Sequence, residues 1–332
     1  MPTIFDSELD SILEGTSRSF YLSLKELPKP IRQQVSLLYL LARTSDTIAD
    51  SEAGDPQKRL ASLEAYDRYS QKTSDRAPDL TELAKLQTNP SERRLLESIE
   101  EVTSRIGQFS DSDQESIRHC LGIIISGQIM DLERFSSPSD TISSLDDDLE
   151  LDDYTFRVAG SVGEFWTRMS LDHQFKANPE TEDELFDRGV RFGKALQMIN
   201  ILRDIPSDLS LGRCYIPMIS LVEHGLTPDD LLDPRNMGQF KPLYDKYLDI
   251  TESHLEAAVQ YIGLLPHGQF RLRGSCMLPI VIGKRTVSKL RNGNVLDPNN
   301  TIKIDRSEVK AVVRKIVFSV PFEGMSKKLL ED

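Results

Sequence analysis

One stretch of the chain, residues 39–50, carries both a helical pattern and a chemical one: Tyr39-Leu-Leu-Ala-Arg43-Thr-Ser-Asp46-Thr-Ile-Ala-Asp50. Tyr39, Arg43, Asp46 and Asp50 are separated by four, three and four positions. Side chains at these spacings lie on one face of an α-helix. The stretch therefore predicts a helix with an aromatic ring, a cation and two carboxylates along one side.

A second stretch further along the chain repeats this arrangement. Gln197, Asn200, Asp204 and Asp208 are separated by three, four and four positions and also share one helical face. Pro206 lies between the two aspartates, and a proline removes a backbone donor and crowds the preceding turn. We expect a kink or a tightened turn near Asp204, and the register of Asp208 is left open.

Two carboxylates one helical turn apart can hold a hard divalent cation. Mg²⁺ prefers oxygen ligands and completes its shell with water and phosphate oxygens. Most such acidic pairs are simply solvated surface, but both pairs here extend faces that carry arginine, aromatic or carboxamide side chains. We predict that the pairs lie on opposing helices and form a Mg²⁺ clamp for a diphosphate, with Arg203 orienting a carboxylate or meeting a phosphate.

Apolar spacing is helical through most of the chain, which predicts an all-α protein. We expect one domain covering residues 1–332. Polar residues 136–139 and 146–148 predict an exposed linker, and the small residues of 158–163 indicate either close helix packing or space for a ligand. The predicted helices are 29–53, 55–75, 91–107, 111–135, 151–174, 182–205, 238–263, 268–292 and 306–318.

Composition excludes several classes of protein. The formal net charge is −13, which opposes binding to nucleic acid and to anionic lipid in general. Three widely spaced cysteines, Cys120, Cys214 and Cys276, argue against a disulfide framework or a zinc site. The acidic N-terminal residues and the lack of a long apolar run favour a cytoplasmic protein, with peripheral membrane contact at most.

Four segments in this order resemble the squalene/phytoene synthase family, and the resemblance extends over most of the chain. The segments are Ser17-Arg18-Ser19-Phe20; Tyr39 to Asp50; Tyr154-Thr-Phe-Arg157-Val-Ala-Gly160-Ser-Val-Gly163; and Gln197-Met-Ile-Asn200-Ile-Leu-Arg203-Asp204-Ile-Pro-Ser-Asp208, leading to Gly212-Arg213-Cys-Tyr215-Ile-Pro217. The resemblance implies an isoprenoid-synthase-type helical bundle around a central cavity. It also implies a prenyltransferase that condenses two isoprenoid diphosphates head to head.

The resemblance assigns roles to particular positions. Aspartates 46, 50, 204 and 208 would bind Mg²⁺, and catalytic roles would fall to Tyr39, Arg43 and Tyr154. The substrate, farnesyl diphosphate or another prenyl diphosphate, would contact Ser17, Arg18, Ser19, Phe20, Arg43, Gln197, Asn200, Arg203, Arg213 and Tyr215. The residues themselves agree in part, because arginine suits phosphate and aromatic faces stabilise carbocations.

The sequence indicates the family more clearly than it indicates the product of the reaction. The residues Asp46-Thr47 resemble the squalene-type motif, so the leading hypothesis is a bacterial-type squalene synthase that forms presqualene diphosphate and reduces it with NADPH. No glycine-rich dinucleotide loop is visible, and phytoene or dehydrosqualene synthesis needs no reductant. A basic cluster over residues 271–291 indicates a solvated helix face more than a site for a cofactor phosphate or lipid headgroup.

Two alternatives lie further away. Terpene cyclases and chain-elongating prenyltransferases usually carry a DDxxD motif, which neither acidic helix contains. A helical interaction protein without catalytic activity would keep the same bundle. Both a monomer and a homodimer are compatible with the sequence.

Overall fold

The computed structural model describes residues 5–17, 20–51, 55–135, 141–300 and 302–331. These residues are almost entirely helical, which confirms the predicted all-α class. The helices are α1 Ser7–Ser17, α2 Phe20–Glu26, α3 Lys29–Ala49, α4 Pro56–Ser70, α5 Thr81–Leu86, α6 Pro90–Glu97, α7 Ile99–Ser104, α8 Asp111–Phe135, α9 Asp148–Thr155, α10 Ser161–His173, α11 Pro179–Ser210, α12 Met218–Glu223, α13 Met237–Leu264, α14 Phe270–Asn292, α15 Arg306–Ser319 and α16 Glu323–Glu331. Short 3₁₀ turns cover Arg105–Gln108, Pro228–Leu232 and Pro234–Asn236, and Phe156–Gly160 forms a π-helical turn.

Several helices begin where the sequence places its turn residues. Asp55, Asn89 and Asn178 each accept a hydrogen bond from a backbone N–H of the following turn, and each is followed by a proline at the first helical position. A side-chain acceptor and a proline at these positions both favour a helix start, because the first backbone donors have no partner inside the helix.

Some predicted boundaries were wrong. The helix predicted over 29–53 ends at Ala49, so Asp50 is its C-cap residue. Segment 91–107 is divided into α6, α7 and a 3₁₀ turn, and 151–174 is interrupted by the π-helical turn. The helix predicted to end at residue 205 continues through Pro206 to Ser210.

The first part of the predicted exposed linker, residues 136–139, lies outside the described residues. In its second part, Asp146 and Asp148 are exposed, as predicted. Asp147 caps the start of α9 by accepting from the N–H groups of Leu149 and Glu150, so residues 146–148 lead directly into that helix.

The chain divides into two compact units, and the prediction of a single domain stays a prediction. Unit 1 contains residues 1–136 and 168–176, and unit 2 contains 137–167 and 177–332. In unit 1, α3 packs against α8, α4 and α6, and its residues Leu37, Leu40 and Leu41 are fully buried.

In unit 2, α11 and α13 form the most extensive helix pair. The small residues of the segment 158–163 serve close packing: a Cβ atom on Gly163 would collide with the carbonyl of Gly189, and one on Gly193 with the carbonyl of Ala159. The fold thus favours the packing alternative over the ligand-space alternative for these glycines.

The only strands in the described part of the chain are two residues long each. Strand β1, Ser143–Ser144, pairs in parallel with β2, Arg213–Cys214. All three cysteines are buried, and none of them forms a disulfide bond. Within the ranges given above, no helix has the length and apolar character needed to cross a bilayer.

Candidate functional site

The predicted aromatic end of the first face lies beside the end of α1. The hydroxyl of Tyr39 donates a hydrogen bond to the backbone carbonyl of Thr16 at 3.2 Å. Ser17 is the last residue of α1, is buried, and donates its hydroxyl to the carbonyl of Leu13. The structure therefore brings Ser17 and Tyr39 into one neighbourhood of unit 1.

Asp46 is the most perturbed acid of this face. The residue keeps some exposure, but its carboxyl is surrounded by protein. Burial and the negative charge of Asp50 raise its pKa to about 7, against the opposing effects of Arg43 and of a hydrogen bond from Gln128. A carboxylate that is enclosed by protein beside a like charge is unfavourable unless it is protonated or meets a cation. Asp50 itself is exposed, and the oxygen ligands of the two residues fit a Mg²⁺ ion, whose charge would offset the repulsion between them.

Arg43 is held by a residue that the sequence patterns did not reveal. Its Nη2 lies 2.5 Å from Oε1 of Glu92, which belongs to the first turn of α6. Although burial opposes it, the contact with Glu92 raises the pKa of the guanidinium. Glu92 thus holds the side chain of Arg43, whose positive charge also acts on Asp46.

The second face lies on α11 in unit 2. Arg203 donates to both carboxylate oxygens of Asp204, with Nε at 2.8 Å from Oδ1 and Nη2 at 2.5 Å from Oδ2. This hydrogen bond raises the pKa of Arg203. Nδ2 of Asn200 lies 3.4 Å from Oε1 of Gln197, so the two carboxamides also contact each other. The contact between Arg203 and Asp204 is an ion pair between neighbouring residues, and the orienting role of Arg203 stays a prediction.

Pro206 does not end α11, and the reason lies on another helix. A proline at position 206 provides no N–H for the carbonyl of Leu202. The hydroxyl of Tyr244, a fully buried residue of α13, donates to that carbonyl at 3.0 Å. Since the freed acceptor is satisfied in this way, the helix continues to Ser210, and Asp208 remains one helical turn beyond Asp204.

The residues after α11 are positioned by a turn and a short ladder. Gly212 has a φ of +76°, a conformation that glycine adopts without steric cost at a helix C-terminus. In the short strand pair that follows, Arg213 of β2 lies opposite Ser143 of β1.

The ring of Tyr215 stacks on that of Tyr154, with centroids 4.9 Å apart and planes at 20°. Asp208, Arg213 and Tyr215 line one crevice of unit 2.

Two of the predicted substrate-binding residues, Arg18 and Ser19, lie outside the described residues. Phe20 is the first residue of α2.

In the ranges that are described, no three His, Cys, Asp or Glu side chains form a ready-made metal site. Mg²⁺ commonly takes one or two carboxylates and completes its shell with water and phosphate. The predicted clamp made of both pairs stays a prediction.

Sequence patterns missed Glu92, Gln128 and Tyr244. A weak signal existed for Gln128, which is a polar residue within the apolar pattern of α8 and is 9% exposed. Their partners lie 49, 82 and 42 positions away. Such distant pairs leave no trace in helical periodicity, which reports only neighbours within a turn or two.

Comparison with known proteins adds the family. A model of the squalene/phytoene synthase family matches residues 13–307. The chain belongs to this family. The matched region of this squalene/phytoene synthase family member contains both aspartate faces and ends within α15.

Individual relatives are distant. A bifunctional lycopene cyclase/phytoene synthase from Pyrenophora tritici-repentis is 29% identical over 260 residues, which are 76% of this chain and 41% of that protein. The chain thus spans about two fifths of such a relative. A presqualene diphosphate synthase from Zymomonas mobilis is 29% identical over 233 residues, or 68% of this chain and 66% of that protein.

A solved structure of TcSQS with the ligand E5700 resembles the fold, with a TM-score of 0.77 at 20% identity, covering 98% of this chain and 90% of that chain. The likeness confirms the predicted isoprenoid-synthase-type helical fold.

Proposed function

We propose that this chain condenses two prenyl diphosphates head to head, with Mg²⁺ held at Asp46/Asp50 and at Asp204/Asp208. The observation that carries the proposal is the enclosed carboxyl of Asp46 on α3 with the like charge of Asp50 one turn away at the end of that helix, a repulsion that a cation would offset. A second acid pair with the same spacing lies on α11. When bound, Mg²⁺ would neutralise the charge that develops on the diphosphate oxygens as the allylic C–O bond breaks.

Three arginines would contact the diphosphate in this proposal. Arg213 lines the crevice that contains Asp208, and arginine can contact phosphate oxygens through two N–H groups. Arg43 contacts Glu92, and Arg203 contacts Asp204. They therefore orient the carboxylates and offer only their remaining donors to phosphate.

The aromatic residues would protect the cationic intermediates. Ring faces stabilise a carbocation without forming a covalent bond to it. Tyr154 and Tyr215 cover each other on one face, and both are less than one tenth exposed. Their stacking fixes the rings, so little ordering is needed when an isoprenoid chain binds. Gln197 and Asn200 would support the diphosphate from the same face of α11.

The leading product is squalene, formed from two molecules of farnesyl diphosphate through presqualene diphosphate with hydride from NADPH. The similarity to a presqualene diphosphate synthase supports the first half of this sequence. A second candidate is phytoene or dehydrosqualene, formed by proton loss without a reductant. The similarity to bifunctional lycopene cyclase/phytoene synthases favours this candidate equally.

The test is a product assay with purified protein. Farnesyl and geranylgeranyl diphosphate are each incubated with Mg²⁺, with and without NADPH, and the products are identified by mass spectrometry. Squalene that requires NADPH supports the leading product, and an unreduced C30 or C40 hydrocarbon supports the second. Failure to convert any prenyl diphosphate would overturn both and favour a helical interaction protein.

Variants connect the activity to the two faces. Asp46→Asn and Asp204→Asn should each reduce turnover by about a thousandfold or more while leaving the far-ultraviolet circular dichroism unchanged. Asp183→Asn is a matched control, because Asp183 is an exposed residue of α11 that lies 21 positions before Asp204. Retained activity in either of the first two variants removes that pair from the mechanism.

A further inference from the structure

The helices α15 and α16 expose an unusual amount of apolar surface. Val317, Phe318 and Phe322 are 65%, 71% and 60% exposed, and Val313 and Met325 are exposed as well. On α15 these side chains alternate with cations, because Lys310, Val313, Arg314, Val317 and Phe318 recur at intervals of three and four and share one side of the helix. We name the seven residues Lys310, Val313, Arg314, Val317, Phe318, Phe322 and Met325 the α15–α16 face.

This exposure does not arise from a loosely attached helix. The opposite side of α15 is well packed: Val312, Ile316 and Val320 are at most 5% exposed. The corner between the helices is tied by the hydroxyl of Ser326, which donates to the carbonyl of Ser319 at 2.8 Å. Because the inner side already forms the core contacts, the outer apolar side chains are left for something outside the chain.

The charge of this region is opposite to that of the whole protein. Residues 306–331 contain six basic and three acidic residues, whereas the chain as a whole carries −13. One of the acids, Glu308, is bound by Arg285 and Lys289. Glu323 and Glu331 are the other two. Among the described residues, Lys310, Arg314 and Lys315 form no ion pair with a carboxylate.

The basic cluster on α14 is different, because most of its cations contact groups of the protein itself. Arg273 is buried and donates to the carbonyls of Ile262 and Leu265, which closes the C-terminus of α13. Lys284 donates to the carbonyl of Leu330. Arg291 binds Asp249 and Glu252. Among the described residues of α15, by contrast, Lys310, Arg314 and Lys315 have no carboxylate partner and are available to an external anion.

We propose that the α15–α16 face docks on the surface of a lipid bilayer that contains anionic headgroups. Interfacial helices combine large apolar side chains, which enter the headgroup region, with lysine and arginine beside them. The mixture on α15 has this composition. A second copy of the chain is a poorer occupant, because two identical basic faces would repel each other. The inference does not depend on the proposed reaction.

The test measures flotation of the full chain with vesicles of phosphatidylcholine alone and of phosphatidylcholine mixed with phosphatidylglycerol. The protein should float with the anionic vesicles at low salt and much less at high salt. Val317→Ser/Phe318→Ser removes apolar area, and Lys310→Glu/Arg314→Glu reverses two charges. Each double variant should weaken binding to anionic vesicles by about tenfold or more.

Matched controls separate the face from general effects. Lys58→Glu/Lys176→Glu changes net charge by the same amount at exposed positions of unit 1, and Leu149→Ser/Ile219→Ser removes exposed apolar side chains elsewhere in unit 2. Both should float like the unchanged protein. Equal flotation with neutral and anionic vesicles overturns the proposal, as does equal loss in the controls. Sedimentation velocity that shows a dimer abolished by Val317→Ser/Phe318→Ser would assign the face to a second copy instead.

Discussion

At the scale of single residues, the two aspartate pairs are equivalent in spacing and different in surroundings. Asp46 lies among protein atoms with a like charge nearby, and burial together with Asp50 raises its pKa to about 7. Asp204 already has Arg203 on both oxygens. A cation at the first pair would offset the repulsion between Asp46 and Asp50, while a cation at the second would share its ligand with an arginine. Spacing predicted the pairs, but only the contacts distinguish them.

His254 provides a pH-dependent prediction. Burial, followed by the positive charges of Arg191 and Lys194, lowers its pKa to about 4, and its Nδ1 lies 3.3 Å from Nε of Arg191. The unfolded chain therefore binds the proton at a higher pH than the folded chain does. The contribution of His254 to the free energy of unfolding is therefore fully present above its unfolded pKa of about 6.5. It is lost as the pH falls towards 4, and the loss is about 1 to 2 kcal/mol because the group is partly exposed.

The measurement is urea unfolding at a series of pH values across that window. His254→Gln, which keeps an acceptor for Arg191, should remove this part of the slope. His267→Gln is the control for loss of a histidine at an exposed position. A variant His254→Gln with the full slope of the unchanged protein would contradict the assignment.

At the scale of elements, α11 shows what local sequence rules can and cannot predict. The helix was predicted from residue 182, and it begins three residues earlier at Pro179, directly after the break that Asn178 and Pro179 indicate. Pro206 predicts a kink or a tightened turn near the end of α11, yet the helix continues. The hydroxyl of Tyr244 on α13 donates to the carbonyl of Leu202, which has lost its backbone donor. The rule for proline is correct about the lost hydrogen bond, and the distant tyrosine replaces it. No pattern within α11 encodes that replacement.

Tyr244→Phe tests this arrangement. The change removes only the hydroxyl and leaves the buried carbonyl of Leu202 without a donor, which should lower the free energy of unfolding by about 1 to 3 kcal/mol. If α11 then tightens at Pro206, Asp208 moves and Mg²⁺-dependent turnover falls more than stability alone explains. Unfolding and activity are measured on the same preparation.

The matched variant for this experiment is Tyr261→Phe. Tyr261 is also fully buried on α13, but its hydroxyl contacts the side chain of Thr167 at 3.1 Å rather than a carbonyl freed by proline. The variant Tyr261→Phe should have a lower free energy of unfolding but should keep its activity at temperatures where it is folded. Equal losses of activity in both variants would contradict the idea that the hydroxyl of Tyr244 keeps Asp208 in position.

At the scale of the whole molecule, the sequence predicts the all-α fold class better than it predicts which helices pack together. The bounds of α8 agree with the predicted 111–135, because its periodic pattern is long and its start is marked by acids. Short helices such as α5 and α12 have too few residues to show a period, and they were missed. The contacts of Asp46 with Gln128 and of Arg43 with Glu92 depend on which helices pack together, which periodicity within one helix does not report.

The last prediction concerns ligand binding by the intact chain. A ligand that binds only the folded state stabilises it by about 2.7 kcal/mol at a hundred times its dissociation constant. Unfolding entropy of about 2.1 cal/mol/K per residue over 332 residues converts this into a rise in Tm of about 4 °C. Mg²⁺ with inorganic diphosphate should produce that rise together, and neither should produce it alone, because the carboxylates hold the metal and the metal holds the anion. Asp46→Asn and Asp204→Asn should each reduce the rise, whereas Asp183→Asn should keep it. A flat response of the unchanged protein to both ligands together would show that the acidic faces bind no metal–diphosphate complex, and the chain would then be a helical scaffold that keeps the family's fold without its chemistry.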